Sequence, residues 1–167
     1  MNQTQNTTSD YAKTEIAADE RVPAINITRD FRATPAQLMR AHTDPELFRQ
    51  WVGPASVTVE IDLWDARTLG CYRYGCLMGE EMAWFRGTFP LISDTTLVQT
   101  FCYEGMPEAI ALETMTLEDL GDGWTRVHST SLVDSFEGRD QMLASGMDTG
   151  VNDGFAKLDA LLTSGAV

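Results

Sequence analysis

Glu113 is the residue that type and spacing best qualify for chemistry. In the run TTLVQTFCYE the alternate set Leu97, Gln99, Phe101 and Tyr103 faces inward, because it holds both aromatics. In AIALETMTLE the matching set is Ala111, Glu113, Met115 and Leu117, and in WTRVHSTSL it is Val127, Ser129 and Ser131. Hairpins closing around Gly105-Met106-Pro107 and Gly121-Asp122-Gly123 set Glu113 across from Phe101 and Ser131, and Met115 between Gln99 and Ser129. Gln99, Glu113, Ser129 and Ser131 then converge on one inner wall as anchors for the polar end of a ligand. Burial raises the pKa of such a carboxyl, which suits a general base. The competing arrangement has Glu113 reaching solvent at the sheet rim, where it does no chemistry.

The other reactive residues give less. His42 sits at a helix end, near carbonyls it can contact, and His128 lies in a strand on the outer face, so the two form neither a metal site nor a catalytic pair. Cys71, Cys76 and Cys102 lack metal-ligand spacing and cannot all pair within one chain, which reads as reduced thiols packed in strands. No Gly-rich phosphate loop follows a strand, so neither a cofactor nor a metal is expected. The formal net charge is -13, and Lys13 and Lys157 are the only lysines. That field repels nucleic acid and anionic lipid, and no apolar run is long enough for membrane insertion. The N-terminus has no basic or apolar leader region, so a cytoplasmic protein is expected.

The elements that position these residues are legible in the alternation. Residues 1–22 are polar and read as a flexible tail. AINITRDFR (24–32) alternates as a strand. Thr34-Pro35 opens a short helix, PAQLMRAH, with Thr34 as its cap, and Asp44-Pro45 opens a second, ELFRQW, which Gly53-Pro54 ends. Six strands follow between Ser56 and Val133. A single long helix over about 137–163 carries Met147, Val151, Phe155, Leu158 and Leu162 on one stripe, before a short tail at 164–167. With 43% hydrophobic residues and length enough to bury about 70% of its surface, the chain needs no metal or disulfide staple. It reads as one α+β domain over 23–163, an antiparallel sheet of about six to seven strands with helices on one face. A curved sheet cannot press one straight helix against every strand, so a concavity lies between them.

The ordered set Thr43-Asp44-Pro45-Glu46, Trp51-Val52-Gly53-Pro54, Asp65-x-Arg67-x-x-Gly70-x-Tyr72, Phe85-Arg86-Gly87, the Leu97-to-Phe101 strand with Glu104-Gly105-Met106-Pro107 after it, and the Met142-to-Leu162 helix resembles the START-like (SRPBCC) superfamily. Within it the set is similar to the single-domain branch related to the heat-shock-protein-90 ATPase activator. The resemblance implies a helix-grip fold enclosing a pocket. Relatives place apolar residues where Gln99, Glu113 and Ser129 stand, and often a Trp at the position of Val151, so a wider and wetter cavity is expected.

That cavity is expected to be lined by Trp51, Tyr72, Phe89, Phe101, Tyr103, Met115, Met147, Val151 and Phe155 together with Gln99, Glu113, Ser129 and Ser131. Three functions compete. The first is a carrier or sensor of a small hydrophobic or amphipathic molecule. The second is an enzyme resembling polyketide cyclases, aromatases or hydrolases, with Glu113 as base. The third is a chaperone-interaction module, although the chain has no room for the additional domain of the co-chaperone. Exposed edge strands in such folds also permit a homodimer.

Overall fold

The computed structural model describes residues 13–167. Nine strands and four helices follow in the order β1 (Glu15–Ala18), β2 (Ala24–Phe31), α1 (Pro35–Thr43), α2 (Pro45–Trp51), β3 (Thr58–Trp64), β4 (Gly70–Met78), β5 (Glu81–Phe89), β6 (Leu91–Ile92), β7 (Thr96–Tyr103), β8 (Ile110–Gly121), β9 (Trp124–Leu132), α3 (Phe136–Ala144) and α4 (Met147–Thr163). The strands form one antiparallel sheet, ordered β1-β2-β9-β8-β7-β5-β4-β3, with β6 paired to β7. The strand count exceeds the expected six to seven because two short edge pieces, β1 and β6, pair through their backbones without an apolar alternation of their own.

Local chemistry explains the short helices. Thr34 accepts from the Gln37 amide while the Gln37 side chain accepts from the Thr34 amide, a reciprocal cap, and Pro35 presets the first turn. Asp44 accepts from the Glu46 amide to start α2. Trp51 Nε1 donates to the Ala41 carbonyl at 2.9 Å and Trp64 Nε1 to the Thr43 carbonyl at 2.7 Å, so a buried and a half-buried indole fasten this helix pair to its surroundings.

Three expectations change. Residues 15–18 form β1 against β2 where a tail was expected over 1–22; the first twelve residues of that tail lie outside the described residues. The long C-terminal helix is two helices, because Ser145 ends α3 and Gly146 takes the left-handed region (φ 84°) that stops a helix. The last residues are tied down: Val167 packs against the core, and its main-chain oxygen accepts from Gln37 Nε2 at 3.2 Å.

The core lies between the inward sheet face and α1, α2 and α4, with Phe31, Leu38, Phe89, Val127 and Leu158 closed to solvent. The β8–β9 register is the expected one, with Glu113 opposite Ser131 and Met115 opposite Ser129. The Asp122-Gly123 turn sets it, both residues having positive φ (54° and 81°). The β7–β8 register differs by two residues: Glu113 stands opposite Gln99, not Phe101, and Met115 opposite Leu97. Two successive tight turns, Met106 N to Tyr103 O and Ala109 N to Met106 O, lengthen the connection. A two-residue slip leaves every side chain on its own face, so the inner wall survives.

Candidate functional site

α4 lies over the inward sheet face and is stitched to its neighbours by polar contacts. The Asp159 carboxylate pairs with the Arg29 guanidinium, which comes up from the inward face of β2. At the other flank Lys157 Nζ donates to the carbonyls of Val52 (3.2 Å) and Pro54 (2.8 Å), and the Ala55 amide donates to Asp153 (3.1 Å). Between these supports, a cavity of about 220 Å³ remains under the helix.

Of the expected residues, Trp51, Tyr72, Gln99, Phe101, Glu113, Met115, Ser129, Ser131, Val151 and Phe155 line this cavity. Three do not. Phe89 is buried deeper, packed on Tyr72 (5.0 Å between centroids) and Trp64 (6.1 Å). Tyr103 ends β7 at the solvent, 41% exposed, where its ring leans on Phe85. Met147 stands in the first turn of α4 outside the cavity, because the break at Gly146 moves the start of the helix there. Among the residues the structure adds are Ile27, His42, Phe48, Trp64, Tyr74 and Leu97. The signal for Tyr74 is the same parity that selected Tyr72, since residues two apart in a strand share a face. Phe48 joins Trp51, Trp64 and Tyr74 in an aromatic wall with centroid separations of 5.6, 4.6 and 5.1 Å.

Glu113 is the centre of the polar wall. Its Oε2 accepts from Gln99 Nε2 at 2.8 Å and its Oε1 from Ser131 Oγ at 3.4 Å. Burial pushes its carboxyl above the usual carboxylate range, and the two hydrogen bonds pull only partly the other way. Among the described residues, no Lys or Arg lines the cavity. The rim alternative, with Glu113 in bulk solvent, does not hold. Tyr72 donates its hydroxyl to the Thr100 carbonyl at 2.7 Å, and burial pushes both the Tyr72 and Tyr74 phenols up, so they stay neutral.

His42 reaches the cavity from the last turn of α1. Its Nδ1 lies 2.8 Å from the Leu38 carbonyl, which can only accept, so Nδ1 carries the proton and Nε2 is a bare acceptor. Its ring lies 4.7 Å from that of Trp51, and burial lowers its pKa to about 4. His128 is on the outer face, bonded to Thr28 at 2.9 Å. The Asp65/Arg67/Gly70 set shapes the β3–β4 turn: Arg67 pairs with Asp65 at 2.9 Å, and a side chain at Gly70 would meet the Asp65 carbonyl. Cys71, Cys76 and Cys102 are free thiols, and burial pushes the Cys76 thiol up, away from the reactive thiolate. Among the described residues no cluster of His, Cys, Asp and Glu could hold a metal ion, and no helix is long and apolar enough to cross a membrane.

Comparison with known proteins agrees with this architecture. The family model described as "Activator of Hsp90 ATPase homolog 1-like protein" matches residues 32–163. A crystal structure of a protein from Rhodobacter sphaeroides superposes with a TM-score of 0.83 at 23% identity, covering 91% of this chain and 99% of that one. A crystal structure from Mycobacterium smegmatis gives 0.81 at 21% identity, covering 90% and 97%, and a solution structure from Arthrobacter aurescens gives 0.81 at 21%, covering 91% and 92%. At these identities the structural likeness speaks for the fold alone. No curated protein matches the chain.

Proposed function

The chain belongs to the Activator of Hsp90 ATPase homolog 1-like family, within the START-like (SRPBCC) superfamily, and on that footing we propose that it binds a small hydrophobic or amphipathic molecule in the cavity beneath α4, as a carrier or sensor. One observation carries this reading. A hydrogen-bonded polar cluster, Gln99–Glu113–Ser131, is set into a cavity walled mostly by aromatic and aliphatic side chains. Apolar walls supply burial at roughly 25 cal/mol per Å², and a few fixed polar groups supply orientation.

Native mass spectrometry of the purified protein, with a thermal-shift screen of small aromatic compounds, tests it. A ligand at about 100 times its Kd stabilises the folded state by about 2.7 kcal/mol. For a chain of this size that raises Tm by roughly 5–11 °C. A screen in which nothing co-purifies and no compound moves Tm would overturn the proposal.

One observation favours a second reading. Glu113 combines a raised pKa with access to the cavity, the combination a general base needs, and this suits a cyclase-, aromatase- or hydrolase-type reaction. Turnover of a bound compound that Glu113→Gln abolishes, with the fold retained, would select it. Recovery of the compound unchanged selects the carrier or sensor. The family's name alone supports the chaperone reading, and no feature of the site adds to it.

A further inference from the structure

The cavity has a sign. Among the described residues, Glu113 is the only acidic side chain that lines it, and neither Lys nor Arg does. The cations nearest to α4 are already engaged, Arg29 by Asp159 and Lys157 by two main-chain carbonyls. Several acceptors in the lining are without a partner. Gln99 spends an amide hydrogen on Glu113, which leaves its carbonyl oxygen without a partner among the described residues. The hydroxyls of Ser129 and Tyr74 likewise have no hydrogen-bond partner among the described residues. His42 offers an unprotonated Nε2. Phe48, Trp51, Trp64 and Phe101 add aromatic rings, whose faces attract positive charge.

Resting on the small-molecule reading above, we infer that the occupant is a small aromatic or branched amine, bound as its ammonium against Glu113. An ammonium brings a positive charge and three donors, which Glu113, the Gln99 carbonyl oxygen and His42 Nε2 can accept. A carboxylate ligand would set like charge beside Glu113, with neither Lys nor Arg among the lining residues to offset it. Size bounds the rest of the molecule. A cavity of 150 Å³ takes up benzene, so about 220 Å³ admits roughly nine non-hydrogen atoms. No bond is made or broken. The amine arrives protonated, and where Glu113 is still protonated it releases its proton to solvent as the ion pair forms.

Isothermal titration with 2-phenylethylamine, 2-phenylethanol and phenylacetate, three probes of nearly one shape, tests the inference. The amine is expected to bind roughly 10- to 150-fold tighter than the alcohol, the span of a hydrogen bond to a charged group, with phenylacetate weakest. In Glu113→Gln the amine and the alcohol should come close to parity. Equal binding of amine and alcohol to the wild type, an amine preference that survives Glu113→Gln, or a preference for phenylacetate would each overturn it. Should that variant not fold, the wild type alone decides. Amine affinity should fall as pH is lowered through the Glu113 titration, by at most about tenfold per pH unit, while the alcohol's stays flat. Among the other groups facing the cavity, His42 stays neutral down to about pH 4 and the two phenols stay neutral throughout, so none of them mimics this above pH 5. A flat amine profile overturns the inference. Toluene and indole separate the two failures: if they bind and the amine does not, the amine assignment falls and the cavity reading stands, whereas if nothing binds both fall.

Discussion

Removing the Asp159 carboxylate should destabilise the fold more than removing its partner Arg29. The Arg29 side chain is 9% exposed, its Nε has no hydrogen-bond partner, and its guanidinium stacks over the rings of Phe31 and Phe155 at 5.1 and 5.8 Å. Asp159 is 36% exposed, so water reaches one side of the carboxylate. Burial raises the Asp159 carboxyl while Arg29 opposes the rise. The two truncations are therefore unequal. Asp159→Ala leaves the guanidinium with only the Thr14 hydroxyl (3.2 Å) as a polar partner, largely shut off from water and unable to lose its proton. Arg29→Met leaves a carboxylate that can hydrate, and keeps an unbranched apolar side chain against the two rings.

Breaking a buried pair on one side costs about 3–5 kcal/mol. The open face of Asp159 puts this case at the bottom of that range, about 3 kcal/mol for Asp159→Ala, or a fall in Tm of roughly 6–12 °C. Arg29→Met should cost about 1 kcal/mol, and the double variant Arg29→Met/Asp159→Leu should lie near the wild type, since apolar replacements of buried pairs are often neutral or better. Urea denaturation at constant m-value measures all three. An Asp159→Ala cost within about 0.5 kcal/mol of zero, the range of ordinary surface substitutions, would refute the reasoning. So would Arg29→Met proving the worse of the two.

Three further outcomes follow from the cavity and its walls. Val151→Trp should fill the space under α4 and abolish binding of any cavity ligand while shifting stability by no more than about 1–3 kcal/mol, as read by titration and thermal melts. Gly154 faces the Trp51 carbonyl, where an added Cβ would already sit 3.2 Å away, so Gly154→Val should lift the helix and cost about 2 kcal/mol in urea, with Gly154→Ala much milder. His42 has a folded pKa of about 4 against about 6.5 unfolded, so the stability it confers is full above pH 6.5 and is lost as pH falls towards 4; over that window the wild type should lose about 3 kcal/mol more than His42→Gln, and parallel pH profiles would refute this.

The parts of this molecule legible in the sequence are those fixed by parity and by local chemistry. Alternation put Gln99, Glu113, Ser129 and Ser131 on one face because a strand has period two, and Thr34 and Asp44 marked helix starts because their oxygens satisfy free amides. The β7–β8 register was not legible for the same reason: slips of two residues leave the parity intact, and only the geometry of residues 103–109 decides between them. Arg29 shares parity with Ile27 and Phe31, so its inward direction was available. Its charge argued against that direction until Asp159 arrived from a helix 130 residues away. Met147 was placed on the α4 stripe by assuming an unbroken helix, and the Ser145-Gly146 pair was the stop signal. β1 left no hydrophobic trace because an edge strand of four residues is held through its backbone to β2.

The persistence of the cavity itself asks for a cause. At roughly 24 cal/mol per Å³, a dry void of about 220 Å³ costs about 5 kcal/mol, comparable to the whole stability of a small domain. Apolar burial alone would draw α4 down onto the sheet to recover it. Three polar contacts oppose this, and each holds the helix at a flank of the cavity: Arg29 with Asp159, Lys157 with the Val52 and Pro54 carbonyls, and Asp153 with the Ala55 amide. Moving α4 inward would break charge-assisted bonds at both flanks at about 1.5–3 kcal/mol each, in sum comparable to what the void costs. The helix therefore bridges the sheet, and the floor is free to carry Gln99, Glu113 and Ser131, side chains that a collapsed core would not tolerate.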